Sequence, residues 1–449
     1  MIKRTLAILF SLIIVISTSA CSTYIHAAIA LPITESGYQS FEVSIAVDLF
    51  GVKHIARTEC IREDPPPYPC KLIYTRVAPG LNGLSETAYS WIPTSSEYVH
   101  DVDIAVTDSG MAYIVYRHDY RLGASVASEL FYTRSDALGV PVLIEGSYEA
   151  HGRPIAVARG DNVYIAYEVL SGGHTHLRYR QLNNPSVGGW VDNRYPTTDE
   201  ELQDAVTAWN GKFYVVYHLG DGLNYSDNYG VTGDMTNHVY VSTYHDSIAD
   251  IDVNGSPEMV YIIYDDTRYF PGFSNGLFIN YCRADSCTSQ TIAVIPMPHP
   301  ELWRLQGNPQ VIADTISTAY YVITARTDAN PNINVYAGLF QVGPTPESPI
   351  QMTNTPETEV DAHICLTFSI NPVIAWRTDL GAGYYGDIHE YGYFSGSNTV
   401  RKTTSGREES EMACNADWGA GIWNEETGVG KQAWVSFNTY PAVMPIIKK

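Results

Sequence analysis

Apolar and polar residues alternate in short runs along most of this chain, and the runs return as one phrase. The phrase is an apolar strand, a tight turn, a second apolar strand ending in Tyr or Trp, and then a charged residue. It reads VSIAVDLFGVKHIART from Val43, VDIAVTDSGMAYIVYRHD from Val102 and RPIAVARGDNVYIAYEV from Arg153. It continues as LQDAVTAWNGKFYVVYHL from Leu202 and IADIDVNGSPEMVYIIYDD from Ile248. Three further copies are PQVIADTISTAYYVITARTD from Pro309, VDAHICLTFSINPVIAWRTD from Val360 and EMACNADWGAGIWNEE from Glu411. The residue after the second strand is Arg57, Arg117, Glu168, His218, Asp265, Arg326, Arg377 and Asn424, at spacings of 60, 51, 50, 47, 61, 51 and 47. A fixed period of this size marks a repeat architecture.

Each phrase predicts a β-hairpin. The period is two, and β-branched and aromatic residues dominate. Ser109-Gly110, Gly160-Asp161-Asn162 and Asn210-Gly211 supply the positive φ that tight hairpins require. A third strand follows, as in Ile73-Tyr74-Thr75-Arg76 and Phe131-Tyr132-Thr133-Arg134. A short fourth follows that, as in Val142-Leu143-Ile144. Four antiparallel strands per repeat predict a propeller blade, so the expected fold is an all-β, eight-bladed β-propeller. No segment has helical period, which argues against alternating β/α folds. Residues 28–34 read as a fourth strand with no blade of its own, and are expected to complete the last blade and close the ring. The competing choice for that place is Val443 to Ile447. Closure matters because it removes open sheet edges.

The N-terminus reads as an address. Lys3 and Arg4 precede an apolar run from Leu6 to Ile16, then Ser17-Thr18-Ser19-Ala20 and Cys21. The run is too short to span a bilayer and fits a secretion signal. Small residues before a cysteine resemble the bacterial lipoprotein signal, which implies acylation of Cys21; the alternative is ordinary cleavage near Ala20. The domain reading is therefore a signal over 1–21, a linker over 22–27 and a single propeller over 28–449. Six cysteines remain beyond Cys21, an even number suited to an exported chain. Cys60 with Cys70, Cys282 with Cys287, and Cys365 with Cys414 are the expected pairs. The expected location is extracytoplasmic, at the cell surface or secreted, with membrane contact only through the lipid.

Composition narrows the function class. Lys+Arg is 27 against Asp+Glu 49, a net charge of −22, so a nucleic-acid partner is excluded for want of a basic face. With 33 tyrosines and eight lysines the chain suits a β-rich extracellular protein. A blade meander brings the residues after strand two and those before strand one to one axial face. The expected ligand-binding set on that polar funnel is Arg57, Asp103, Arg117, Asp119, Arg153, His218, Arg326, Asp361, Arg377, Asp379 and Glu411. Arginines there can grip carboxylate or hydroxyl groups. The structural alternative is that the repeated Arg-x-acid pattern forms a ring of ion pairs. Tyr116, Tyr167, Tyr217, Tyr264, Trp376 and Trp423 precede the marker residues and are expected to pack between blades.

Metal signals are few. Asp250-x-Asp252-x-Asn254-Gly255 matches the start of a calcium loop, but Tyr261 stands where the closing Glu belongs. His174-x-His176 lacks an evident third ligand. The expectation is no metal and no cofactor, with calcium the one exception to test. Asn224-Tyr225-Ser226 is a glycosylation sequon.

The phrases GDNVYIAYE and INPVIAWRTD, with a Tyr-bearing third strand and a Trp as in Gly188-Gly189-Trp190, resemble blades of the sialidase-like, Asp-box-type β-propellers. The resemblance covers most of residues 28–440 as pattern. The family's Asp box, Ser/Thr-x-Asp-x-Gly-x-x-Trp, is absent, so the form is degenerate and its catalytic residues have no positional match here. The resemblance implies the fold and an extracellular habit. The leading functional expectation is a monomeric, non-catalytic module that binds glycan or a surface protein. The alternatives are a glycoside hydrolase using two carboxylates from Asp103, Asp119, Asp361, Asp379 and Glu411, and a structural surface protein.

Overall fold

The computed structural model describes residues 29–437 except 62–69, 79–83, 92–96, 123–124, 147–152, 221, 229–233, 236, 243–248, 255–257, 267–275, 285–290, 297–302, 306–308, 315–316, 328–329, 355, 368–370, 380–384, 393–395, 402–406, 416–417 and 428–429, with side chains for most of these as far as residue 378 and none beyond it. Among these residues every long regular element is a β-strand. The strands form seven four-stranded antiparallel sheets and one of five strands, each a meander, in a β-propeller-like arrangement. The inner strands are Tyr38–Val47, Glu97–Val106, Ile155–Arg159, Glu200–Thr207, Ala249–Asn254, Gln310–Ala313, Thr358–Thr367 and Arg407–Asn415. Each lies against the next, and the first lies against the last. The strand Ile29–Pro32 pairs antiparallel with Gly430–Phe437, in register from Ile29 with Phe437 to Pro32 with Trp434. Val443 to Ile447 and Cys21 lie outside the described residues.

The five-stranded sheet is the same meander with its inner strand broken. Trp303–Leu305 and Gln310–Ala313 both pair with Thr318–Thr327. The break sits where other inner strands carry a bulge. Register shifts at Ser40/Glu42, His100/Asp103, Leu202/Asp204, Val360/His363 and Glu408/Ser410. A bulge bends a strand and re-aims the side chains beside it.

The second strands are apolar on both faces because each sheet is covered on both sides by its neighbours. Val163 to Tyr167 and Phe213 to Tyr217 are buried without interruption. Each core cluster joins two adjacent sheets. One packs Tyr116 and Ile114 against Ala56, Leu72 and Ala88; another packs Tyr217 and Val215 against Tyr179 and Leu177. Tyr116, Tyr167, Tyr217, Tyr264 and Trp376 all lie buried in such seams, as their alternation requires. The Trp423 side chain is outside the described set. Full burial of a side chain of this kind contributes about 1.5–3 kcal/mol. Gly110, Gly160 and Gly211 take positive φ in the hairpin turns, at 81°, 61° and 80°.

The inner strands have one ladder partner each, so their axial edge leaves backbone N–H groups to be satisfied. Side chains of the preceding sheet do this. Glu42 accepts from Val102 N (3.0 Å), Asp103 from Ala156 N (2.7 Å) and Glu168 from Leu202 N (3.0 Å). Asp204 accepts from Ile251 N (3.0 Å), and Asp250 and Asp252 from Val311 N and Ala313 N (2.7 Å each). Gln310 accepts from Ile364 N at 3.1 Å. Six successive seams are stitched in this way.

Cys60 and Cys70 form a disulfide across a directly paired position of the first sheet. Cys282 and Cys365 are each in a disulfide as well, with partners outside the described set. Cys287 and the side chain of Cys414 lie outside the described set.

Removing one stitch tests the seam. Asp103→Ala leaves the Ala156 N–H and the Ser44 hydroxyl, bonded to it at 2.8 Å, without their acceptor. The expected loss is roughly 1–3 kcal/mol in urea denaturation. Asp136→Ala, which breaks an exposed pair with Arg134, is expected to change stability by no more than about 0.5 kcal/mol. Equal effects of the two variants would contradict the stitching role.

Candidate functional site

Four of the expected funnel residues meet at the seams of the first three sheets. Arg117 Nε lies 3.1 Å from Asp119 Oδ1, and its Nη1 lies 2.9 Å from Asp101 Oδ2. His100, which the sequence did not single out, places Nε2 2.8 Å from Asp119 and Nδ1 3.3 Å from Asp101. Arg153 donates to Val102 O at 2.7 Å and lies 3.4 Å from Asp103 Oδ1. The bulge at His100/Asp103 creates this convergence, and it holds Asp101 at a φ of +54°.

Electrostatics follow from the pairing. Burial works against the Asp119 carboxylate, but hydrogen bonds from His100 and Ser128 outweigh it and hold the group at about 2. Burial also opposes charge on His100, yet its bonds to Asp101 and Asp119 raise it to about 9. Glu42 is raised by burial. Glu42, His100 and Asp101 offer donor atoms within 4.8 Å of one another and could hold a metal. Arg117 and the imidazolium already neutralise Asp101 and Asp119 there, so an ion would have to compete with both.

The other expected residues stand apart from this cluster. Arg57 is fully buried, with Nε 2.5 Å from Glu59 and Nη2 donating to Ile33 O at 2.9 Å, while Nη1 bonds Thr75. It locks the first sheet to the segment after the N-terminal strand, and no ligand reaches it. His218 and Arg377 are buried, and Arg326 is half-buried on the sixth sheet's second strand. Asp361, Asp379 and Glu411 lie on strands, and their side chains are outside the described set. Where the Arg-x-acid pattern is described, in Arg57–Glu59 and Arg117–Asp119, it forms ion pairs.

The metal motifs resolve into strand contacts. Asp250, Asp252 and Asn254 lie on Ala249–Asn254 rather than in a loop, and their side chains serve the sixth sheet. The run is therefore part of a strand that bonds its neighbour, although its spacing matches the start of a calcium loop. His174 lies 3.4 Å from Asp199 and His176 3.6 Å from Glu200, which leaves carboxylate partners in place of a metal. The sequon Asn224 is buried and donates to Gly222 O, so no glycan attaches in the folded state. Ser226 bonds His238 at 2.7 Å near Asp192, a triad-like set invisible in the sequence, but Ser226 is fully buried and meets no substrate.

A cavity lies elsewhere. Its volume is about 440 Å³ and it runs along the axis, walled by Ile45, Ile104, Val157, Val206, Asp252, Ile312 and Leu366 from the inner strands of seven sheets. It occupies the hairpin half of those strands, at the opposite end from the expected funnel. At its mouth stand Asp108, Arg159, Trp209, Asp252 and Asn254. Arg159 crosses from the third sheet to the fifth, donating to Val253 O and approaching Asn254 Oδ1 at 3.4 Å. Its guanidinium carbon lies 5.1 Å from the Trp209 ring centre, and Trp209 is 53% exposed. On the same inner strands Asp204 and Asp250 share a hydrogen bond, and burial raises both.

No protein-family model and no curated protein matches the sequence. Among solved structures, a protein of unknown function from Dyadobacter fermentans is 12% identical at a TM-score of 0.38, over 70% of this chain and 98% of that one. Trypanosoma rangeli sialidase in complex with sialic acid is 12% identical at 0.36, over 92% of this chain and 57% of the other. Prolyl oligopeptidase B from Galerina marginata is 11% identical at 0.49, over 87% and 55%. The chain spans a little over half the length of the sialidase and of the peptidase.

The titrating groups predict how stability depends on pH. Glu200 is raised to about 8 by burial, against the Leu177 amide that it accepts at 2.8 Å. The folded state keeps the Glu200 proton that the unfolded chain releases near 4.5, so this contribution is lost as pH rises through 8. His100 acts in the same sense between 6.5 and about 9. Asp119 acts oppositely, its contribution being lost as pH falls from 3.8 toward about 2. Urea midpoints are therefore expected to fall from pH 5 to pH 9, and Glu200→Gln is expected to flatten that fall below pH 8. A midpoint that rises over this range would contradict the assignment.

Proposed function

We propose that this protein is an exported, non-catalytic binding module: an eight-bladed β-propeller, closed by its N-terminal strand, that holds the end of a glycan or a protein loop in its axial cavity. The observation that carries the reading is the cavity itself, with its volume of about 440 Å³ and its Trp, Arg, Asp and Asn side chains at one mouth. Binding sites are concave, largely preformed, and lined by apolar walls with a few convergent polar groups. The pairing of Ile29–Pro32 with Gly430–Phe437 and the walling of the channel by seven inner strands support a closed ring. The disulfides support an oxidising compartment, and the signal-like N-terminus with Cys21 supports a lipid anchor. The ion pairing of Arg57 and Arg117 argues that the funnel face serves the fold more than the ligand.

Glycoside hydrolysis is the second reading, favoured by one observation. In the funnel cluster burial raises Glu42 while Asp119 is held ionised, the split that a general acid and its partner carboxylate require.

The chain from Ser22 onward, tested on a glycan array and against candidate surface proteins, is expected to show a ligand whose binding is weakened by Ala158→Phe, which enlarges a residue bordering the cavity, and kept by Asp136→Ala. Binding that is unchanged in Ala158→Phe but is lost in Arg117→Ala would move the site to the funnel. On a panel of fluorogenic glycosides no turnover is expected; turnover lost in Glu42→Gln would establish the hydrolase instead.

A further inference from the structure

We infer that the hairpin mouth of the axial cavity takes an uncharged or amine-bearing sugar ring, seated on Trp209, and turns acidic sugars away. This rests on the reading of the cavity as the binding site and names its ligand class.

Trp209 lies at the hairpin tip of the fourth sheet. An indole left half open there would be free to move, but the Arg159 guanidinium 5.1 Å from its centre holds it in place. A fixed, half-exposed indole beside a cavity is a platform for the C–H face of a pyranose, an apolar surface rimmed by hydroxyls. Trp209, Asp108, Asp252 and Arg159 border the same space, so a ring on the indole has carboxylates within its surroundings to accept from its hydroxyls.

Charge decides which sugars fit. Among the described lining residues Arg159 is the one cation, against Asp108 and Asp252. Two of its five N–H donors are engaged, Nη1 with Val253 O and Nη2 toward Asn254 Oδ1. Those contacts and the stacking on Trp209 fix the guanidinium, so the one lining cation is oriented toward the fifth sheet while the two lining carboxylates set the sign of the charge. Further carboxylates add to this charge: Asp161 acts on Asp108, and Asp252 acts on Asp204. Burial already holds Asp108 and Asp252 above the ordinary carboxylate range, so another negative charge is costly there. An ammonium group or an uncharged hydroxyl meets no such opposition.

The test is isothermal titration calorimetry of the purified protein with cellohexaose, a chitosan hexamer and an oligogalacturonate of the same length, at fixed ionic strength. The expected result is binding of the neutral or amine-bearing oligomer, at least tenfold weaker in Trp209→Ala and partly restored in Trp209→Phe, with no binding of the uronate. Uronate binding as tight as the others, or sugar binding indifferent to Trp209→Ala, would overturn the inference. If none of the three binds while another ligand is weakened by Ala158→Phe, the sugar class falls and the cavity reading stands. If no ligand responds to Ala158→Phe, both fall.

Discussion

The architecture depends on how the inner strand of each sheet disposes of its second edge. An inner strand has a ladder partner on one side only, and its other edge faces the axis, where unpaired N–H groups are costly once enclosed. Here a carboxylate or amide from the preceding sheet takes up an N–H of the next: Glu42 to Val102, Asp103 to Ala156, Asp204 to Ile251, Asp250 to Val311 and Gln310 to Ile364. These bonds turn separate meanders into one body. They also give six carboxylates that read as surface charge in the sequence a structural role as acceptors.

The same requirement explains the bulges. A regular strand presents its side chains to the two neighbouring sheets, not along its own edge. Extra residues at Ser40/Glu42, His100/Asp103 and Leu202/Asp204 stand beside stitching acids and re-aim them, whereas Asp250 and Asp252 reach the next sheet from a strand in unbroken register. In the second sheet the bulge also gathers His100, Asp101, Arg117 and Asp119 into a network whose members satisfy one another. A network so closed is suited to fixing geometry. The axial mouth at the hairpin end differs, since Arg159 is tied down there but the Trp209 face and the cavity behind it stay open.

Much of the fold is legible in residues alone. The phrases GDNVYIAYE and NGKFYVVYH announce hairpins because a turn with positive φ joins two β-rich runs, and the structure forms them at Gly160 and Gly211. The Tyr116 and Tyr217 alternation places those rings between sheets, where they are buried. Cys60 and Cys70 pair across the ladder as their closeness in sequence implied. The site was far less legible. The count of residues between Asp103 and Ala156 gives no hint that one accepts from the other.

What the sequence determined by itself is therefore local: period-two strands, hairpin turns and their recurrence about every fifty residues, all set by the preferences of neighbouring residues. Only the tertiary structure decided which charges meet. Arg57 went to Glu59 and Ile33 rather than to a funnel, and Asp250 and Asp252 went to the next sheet. Arg159 crossed to a strand 94 residues away. The reason is geometric: the cavity is made of short stretches from seven sheets, and no short-range pattern records how distant strands are registered against one another.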